Sequence, residues 1–364
     1  MFSTPFVLSF ALILSIPLLF LVAPKILPPK HLQISLPDEI DDLSLFRRAT
    51  LASADHHHRR HHGAVSRLTV KPKVAFLFLT NTDLHFAPLW DRFFEGNEAL
   101  FNVYVHADPS QLPPRTAAAT GKSAFDGRFI ASKRTERASP TLISAARRLL
   151  ATALLDDPMN YHFALVSQRC IPLHSFHFTY NTLVSPPKIS AASNSTRPEF
   201  TQFKEPVSYI EILSGEPQLW DRYTARGEST MLPEVPFERF RVGSQFFVLT
   251  RKHALLVIRD RRLWRKFKLP CLNTDSCYPE EHYFPTLLSM EDPNGCSQYT
   301  LTRVNWTDSV GGHPRTYKAP EISADLIYSL RESNSSYSYL FARKFSPDCL
   351  DPLMEIADNV IFKD

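Results

Sequence analysis

Polar side chains that could bind a ligand stand at the ends of three short apolar runs. The runs are KVAFLFLT (73–80), FNVYVHAD (101–108) and YHFALVSQ (161–168). Their length and continuous apolar character are typical of strands buried on both faces of a parallel sheet, whose ligands bind beyond the carboxyl ends of the strands. We therefore predict a ligand site at that edge. The polar residues at the ends of the runs are Thr80, His106, Asp108 and Ser167.

The sequence lacks the glycine-rich motifs that hold phosphates in many nucleotide-binding sheets. It contains neither GxGxxG nor GxxxxGKS/T, so it is neither an obvious dinucleotide enzyme nor a P-loop enzyme. A sugar-nucleotide transferase is the natural remaining candidate. Many such enzymes use Asp-x-Asp after a strand to hold a metal on the diphosphate, but residues 24–364 contain none, and Ser167-Gln168-Arg169 ends the third run. Such an enzyme would have to neutralise the leaving phosphates without a divalent cation.

Helices between these runs complete an alternating pattern. Residues 84–97 have amphipathic spacing, and Ser139-Pro140 is a typical helix start before apolar residues at helical intervals. Strand, helix, strand, helix, strand predicts an α/β fold with a doubly wound sheet. Farther along the chain we predict a strand at 241–250, a basic helix at 251–266 and a helix at 279–290.

The N-terminus predicts a membrane anchor followed by an unfolded segment. Residues 6–23 (FVLSFALILSIPLLFLVA) carry no charge and are just long enough to span a thin bilayer; a cleaved signal peptide is the alternative. Residues 24–72 are rich in Pro, His and charge, which predicts a disordered stem, although its histidine run could bind metal. The predicted division is a cytosolic tail at 1–5, a span at 6–23, a stem at 24–72 and a catalytic domain at 73–364.

Three further features of the sequence indicate the class of partner and the cellular compartment. The net charge is +4 with both signs interspersed, so composition does not indicate a nucleic-acid partner. Lysines directly after the span favour a cytosolic domain by the positive-inside rule, whereas three N-glycosylation sequons favour a luminal one. Five cysteines without zinc spacing predict up to two disulfides and one free thiol in an oxidising lumen. The sequon asparagines are Asn194, Asn305 and Asn334.

Seven segments, in order, resemble one enzyme family. They are KVAFLFLT, FNVYVHADPS, FALVSQRCIPL, GSQFFVLTRKHA, CYPEEHYFPTLL, HPRTY and FARKF, spread over residues 73–345. Together they resemble the plant branch of the core-2/I-branching β-1,6-N-acetylglucosaminyltransferases, which are related to peptide O-xylosyltransferases. The resemblance implies a GT-A-like, Rossmann-type nucleotide-sugar-binding domain that transfers sugar with inversion and without a metal.

The same resemblance implies the catalytic groups. The glutamate of the family's Glu-His pair falls on Glu281, which would take the proton of the acceptor hydroxyl; a favourable interaction with a helix dipole is the alternative explanation. The cations that replace a metal on the diphosphate fall on Lys344 and Arg315. They would stabilise the charge that develops on the leaving phosphate, or else be ordinary surface cations.

Nucleoside and acceptor contacts complete the predicted site. The predicted nucleoside-binding residues are Thr80, His106 and Asp108, and the alternative for Asp108 is a turn cap. Tryptophan faces stack on sugar rings, although core packing also explains a lone tryptophan. The predicted acceptor contacts are Trp220, Arg222 and Trp306. Gly243-Ser244-Gln245 is expected to shape one of the two pockets.

We therefore expect a single-pass type II Golgi glycosyltransferase whose UDP-sugar donor and glycan or glycoprotein acceptor meet in the lumen. N-acetylglucosamine follows from the family name alone, and xylose and glucuronic acid stay open. No divalent metal and no nucleic acid are expected. The alternative is an inactive relative that binds a glycan or a partner enzyme in the Golgi.

Overall fold

A computed structural model of the chain describes residues 39–62, 71–110, 123–184, 206–309, 312–335 and 337–364. The predicted membrane span at 6–23 and the sequon asparagine Asn194 lie outside these ranges. Among the helices within them, none is both long enough and apolar enough to cross a membrane. Residues 40–364 form one structural unit.

Two sheets organise this unit. In chain order the described strands are β1 (Lys73–Thr80), β2 (Phe101–Ala107), β3 (Asn160–Ser167), β4 (Ile171–Pro172), β5 (Ser208–Glu211), β6 (Val248–Thr250), β7 (Cys296–Gln298), β8 (Thr302–Val304) and β9 (Phe341–Arg343). The larger sheet has the order β2-β1-β3-β6-β5-β7, and the smaller has the order β4-β9-β8. Strand β1 pairs in parallel with β2 and β3, whereas β6 runs antiparallel to β3 and β5. The first three strands thus end at one edge, as predicted.

Helices cover both faces of the larger sheet. The described α-helices are α1 (Glu39–His62), α2 (Ala87–Phe94), α3 (Pro140–Asp156), α4 (Phe176–Val184), α5 (Leu219–Thr224), α6 (Arg251–Arg259), α7 (Trp264–Phe267), α8 (Pro279–Glu291), α9 (Ala324–Arg331) and α10 (Leu350–Ile356). Local chemistry sets two of the helix starts, because Ser139 Oγ accepts from the Thr141 N–H and Thr250 Oγ1 accepts from the His253 N–H.

The core explains why the first strands read as continuous apolar runs. On one face of β1, Phe76 and Phe78 pack edge-on against Trp90 of α2, with ring centroids 6.0 and 5.1 Å apart. On the other face, Tyr104 of β2 donates to Asp156 at the end of α3 at 2.7 Å. A sheet buried on both sides needs apolar residues at successive positions. This mixed α/β domain with a central sheet fits the expected GT-A-like architecture.

Helix α1 differs from the disordered stem predicted at residues 24–72. Its side chains Phe46 and Ala49 are buried, with 7% and 0% exposure, and Asp42 is 8% exposed. Besides these apolar contacts, the Asp42 carboxylate on the same face binds Arg148 and Lys133. The segment is rich in His and charged residues, so its composition did not indicate that one face of a helix would be buried.

Two later elements are shorter than predicted. The strand predicted at 241–250 contracts to β6. The helix predicted at 251–266 breaks at Asp260 into α6 and α7, because the Asp260 carboxylate accepts from the backbone N–H groups of Leu263 and Trp264 and caps the second helix.

The cysteines form one disulfide, between Cys271 and Cys277. The other three, Cys170, Cys296 and Cys349, are buried free thiols. The sequence predicted one free thiol, and the structure has three.

Candidate active site

A cleft of about 760 Å³ opens at the edge where β1 and β3 end. Thr80 and Ser167 line it from these strands, and Glu211 lines it from the end of β5. The first turn of α8 and the strands β8 and β9 contribute the remaining walls. The cleft therefore occupies the edge of the sheet at which the sequence predicted a ligand.

Helix α8 presents Glu281 to this cleft. The helix starts abruptly, because Tyr278 has a φ of +36° and Pro279 occupies the first turn. The Glu281 side chain is 30% exposed, and its Oε2 accepts from Arg222 Nη1 at 2.9 Å. The backbone carbonyl of Glu281 accepts from the Gly243 N–H at 2.9 Å. Arg222 thus orients the carboxylate, Gly243 fixes the backbone that carries it, and the side chain stays partly open to a ligand.

The neighbouring Glu280 has a different environment. It is 4% exposed, and burial raises the pKa of its carboxyl to about 7. The negative charge of Glu281 also raises this pKa, whereas the N–H of Ala138, which donates to Oε1 at 3.1 Å, lowers it. Its Oε2 has no hydrogen-bond partner among the described residues. The Glu280 carboxyl therefore binds a proton at higher pH than an ordinary glutamate.

Several cations line the cleft. Lys344 lines the cleft, and burial together with the charges of neighbouring arginines lowers the pKa of its ammonium. Arg343 also lines it, stacks on Phe246 at 4.2 Å and has an Nε without a partner in the described part of the chain. Arg169 and Arg137 complete the group. Like charges held this close favour binding of an anion.

The predicted nucleoside-binding residues separate into two groups. Thr80 lines the cleft, whereas His106 and Asp108 are not among its lining residues. His106 is fully buried, and burial lowers its pKa to about 4. Asp108 Oδ2 accepts from the N–H and the Oγ1 of Thr135, at 2.7 and 2.9 Å. Thr135 lines the cleft, so Asp108 holds part of the cleft wall. Its Oδ1 also accepts from the Ser110 N–H at 2.8 Å, which is the turn cap that the sequence left as the alternative.

Arg315, the predicted contact of the diphosphate, is not among the residues that line the cleft. Its guanidinium is paired with Glu321 in the short helical turn that follows, and its side chain is 40% exposed. The segment carrying it nevertheless contributes His313 and Pro314 to the cleft. The Glu321 carboxylate is thus the local partner of the Arg315 guanidinium.

The predicted acceptor contacts also divide. Arg222 and Trp306 line the cleft, and Trp306 is 55% exposed. Trp220 is 53% exposed but is not among the lining residues; it packs edge-on against Phe237 with centroids 4.9 Å apart. Beside Trp306, the side-chain Nδ2 of the sequon residue Asn305 donates to the Tyr317 hydroxyl at 3.3 Å. The other described sequon residue, Asn334, is exposed.

The charged residues that line the cleft but were not predicted from the sequence include Glu211, Arg137 and Arg343. Arg343 had a detectable signal, because it stands beside Lys344 in the segment FARKF. Glu211 and Arg137 had none, since neither belongs to a recognisable motif and only the fold brings them to the site. Among the described residues, no group of three or more His, Cys, Asp or Glu side chains could hold a metal ion.

Comparison with known proteins agrees with this architecture. Residues 74–331 match the family model described as Core-2/I-Branching enzyme. The chain is also similar to "Glycosyltransferase BC10" of Oryza sativa subsp. japonica, with 29% identity over 322 residues that cover 75% of this chain and 74% of that protein.

Proposed function

The chain belongs to the core-2/I-branching enzyme family and is a glycosyltransferase, and we propose that it transfers a sugar from a UDP-sugar to a glycan or glycoprotein hydroxyl, with inversion and without a divalent metal. N-acetylglucosamine is the proposed sugar, and xylose and glucuronic acid are the alternatives that the donor panel below distinguishes.

Support comes from the presence of Glu281, Lys344 and Arg343 in one cleft. In the proposed step, Glu281 takes the proton of the acceptor hydroxyl as its oxygen bonds to the anomeric carbon. The bond from that carbon to the donor phosphate breaks, and its electron pair leaves on UDP. Lys344 and Arg343 stabilise the resulting negative charge in the manner of fixed donors.

We assign to Arg343 the role at the diphosphate that the sequence analysis gave to Arg315. Its guanidinium is buried against Phe246 and retains an unsatisfied Nε, whereas Arg315 is engaged by Glu321. A planar guanidinium with an unpaired N–H group can donate a hydrogen bond to a diphosphate oxygen.

We further propose that the catalytic unit faces the Golgi lumen behind an N-terminal anchor. The uncharged run at 6–23 and the exposed sequon at Asn334 support this topology. A change in mobility on deglycosylation of the full-length protein would establish it, and protease sensitivity of the domain in sealed vesicles without detergent would contradict it.

The test of the transfer is turnover by the full-length protein against a panel of UDP-sugars with excess EDTA, for wild type and Glu281→Gln. We expect EDTA-resistant transfer that falls by at least about a thousandfold in the variant, since the base is lost while the shape is retained. Glu291→Gln is the matched control, because this glutamate belongs to the same helix and also pairs with an arginine, Arg262.

Each outcome is informative. Turnover that EDTA abolishes would contradict the metal-independent step, and equal turnover in wild type and Glu281→Gln would exclude this base. A folded wild type without turnover or UDP binding would favour an inactive relative that binds a glycan or a partner enzyme.

A further inference from the structure

We infer that helix α1 supports the donor side of the cleft: Asp42, through Lys133, positions the segment 133–138 that forms one of its walls. The docking of α1 is independent of the proposed function, whereas the consequence for the donor rests on it.

Asp42 is the centre of the contact between α1 and the rest of the domain. Its Oδ1 and Oδ2 accept from Nε and Nη2 of Arg148 in α3, both at 2.7 Å, and the Arg148 side chain is 6% exposed. The same Oδ1 accepts from Lys133 Nζ at 3.3 Å. One buried carboxylate therefore joins α1 to a helix of the core and to an irregular segment.

The docked face of α1 continues along the helix. Phe46 lies under the guanidinium of Arg147 at 4.8 Å, and Ala49 is fully buried. One turn farther, Ser53 Oγ accepts from Arg251 Nη2 at 3.2 Å. The spacing of Asp42, Phe46, Ala49 and Ser53 is that of one helical face, so α1 is held by more than an ion pair.

Segment 133–138 has little regular structure and depends on side-chain contacts for its position. The Lys133 N–H donates to Nε2 of His106 at 3.3 Å, which a neutral imidazole can accept. The N–H of Thr135 donates to Asp108, and that of Ala138 to Glu280. Lys133 adds the bond to Asp42, which is the tether that comes from α1.

The segment reaches the ligand side of the cleft through its next residues. Thr135, Glu136 and Arg137 all line it. Arg137 extends to the opposite wall, where its Nη1 contacts His313 Nε2 at 2.9 Å and its Nη2 donates to the Gly312 carbonyl at 2.8 Å. Its charge also lowers the pKa of Lys344. A displacement at Lys133 would therefore be transmitted to the cations proposed for the diphosphate.

The test uses substitutions in the full chain that separate positioning from stability. Lys133→Met removes the tether but leaves the bond between Asp42 and Arg148, and Lys133→Arg restores a donor. Lys363→Met, at an exposed lysine near the C-terminus, is the control. The measurements are the Kd for UDP, the donor KM and kcat, hydrogen–deuterium exchange of residues 133–138, and Tm.

We expect Lys133→Met to raise the Kd for UDP and the donor KM by about tenfold with kcat nearly unchanged, as loss of one partly buried ionic contact would give. Exchange in 133–138 should become faster, and Lys133→Arg should restore both values while Lys363→Met alters neither. Unchanged UDP affinity and unchanged exchange in Lys133→Met, with or without a lower Tm, would overturn the inference. A wild type that neither binds UDP nor transfers sugar would reject the proposed function instead, and the exchange measurement would still decide whether the tether holds the segment.

Discussion

Burial of the Glu280 side chain raises the pKa of its carboxyl and makes the stability of the fold depend on pH. Its folded-state pKa of about 7 lies above the ordinary value near 4.5 that applies in the unfolded chain. Between these values the folded state binds more protons, so its contribution lowers the free energy of unfolding as the pH rises through this window. The charges that face it are Glu281 on the same helix, Arg137 on segment 133–138 and Arg226 after α5.

We predict that Glu280→Gln becomes more stable relative to wild type as the pH rises from 5 to 8, by about 2–3 kcal/mol. The amide stays neutral, and its oxygen can still accept from the Ala138 N–H. Urea unfolding at several pH values measures the difference. Glu291→Gln, which removes a more exposed carboxylate from the same helix, is the control. A stability difference that is the same at pH 5 and pH 8 would mean that Glu280 does not titrate in this window.

The cations of the cleft give a second prediction at the scale of single residues. Lys344→Ala and Arg343→Ala should each lower kcat/KM by about a hundredfold or more, since each would remove charge from the leaving phosphate. Arg315→Ala should cost less than about tenfold, because Arg315 pairs with Glu321 outside the lining. Steady-state kinetics with saturating acceptor makes the comparison. A loss in Arg315→Ala as large as in Lys344→Ala would show that this arginine leaves Glu321 when the donor binds.

At the scale of elements, Gly243 sets the distance between β5 and α8. A Cβ at this position would lie 1.9 Å from the backbone oxygen of Glu211, at the end of β5. The Gly243 N–H meanwhile donates to the carbonyl of Glu281 in the first turn of α8. Only a residue without a side chain permits both approaches.

Gly243→Ala should therefore destabilise the fold by about 2–3 kcal/mol, because the backbone must shift to relieve the overlap. It should also lower kcat by at least about tenfold well below Tm, since a shift of α8 moves Glu281. Gly215→Ala is the control, as no atom lies within 4 Å of its added Cβ, and it should change stability by less than about 0.5 kcal/mol. Normal activity in a stable Gly243→Ala protein would contradict this role.

The elements differ in how far the sequence predicts them. Strands β1, β2 and β3 agree with their apolar runs because a strand buried on both faces has a continuous pattern. The start of α3 agrees because capping is local. The break at Asp260 was not predicted, because an aspartate inside a basic amphipathic stretch acts as a cap only if the chain turns there.

The residues of the site also differ in how far the sequence predicts them. Glu281 and Lys344 lie in segments whose motifs carry information, and both line the cleft. Arg315 lies in such a segment as well, but a motif does not specify that Glu321 holds its side chain away. Glu211 and Arg137 enter the cleft through the order of strands and through contacts over long sequence distances, which a local pattern does not encode.

At the scale of the whole molecule, α1 belongs to the folded unit, and a chain beginning at residue 73 would lack it. Arg147 contacts three helices. Its guanidinium carbon lies 4.8, 5.0 and 5.9 Å from the ring centroids of Phe46 in α1, Trp264 in α7 and Tyr283 in α8. Its Nη2 also donates to the carbonyl of Asp260 at 2.7 Å. Removal of α1 would expose this buried guanidinium and leave Arg148 without its carboxylate, so we expect α1 to unfold together with the sheet.

Phe46→Ala tests this cooperativity. It should lower the free energy of unfolding by about 3 kcal/mol, because a buried ring and its contact with Arg147 are lost. Leu51→Ala in the same helix should change it by less than about 0.5 kcal/mol, since Leu51 is 55% exposed. Urea unfolding followed by both circular dichroism and tryptophan fluorescence should give one coincident transition for all three proteins. If α1 were only an appended stem, Phe46→Ala would leave the main transition in place and the helical signal would be lost separately at lower urea.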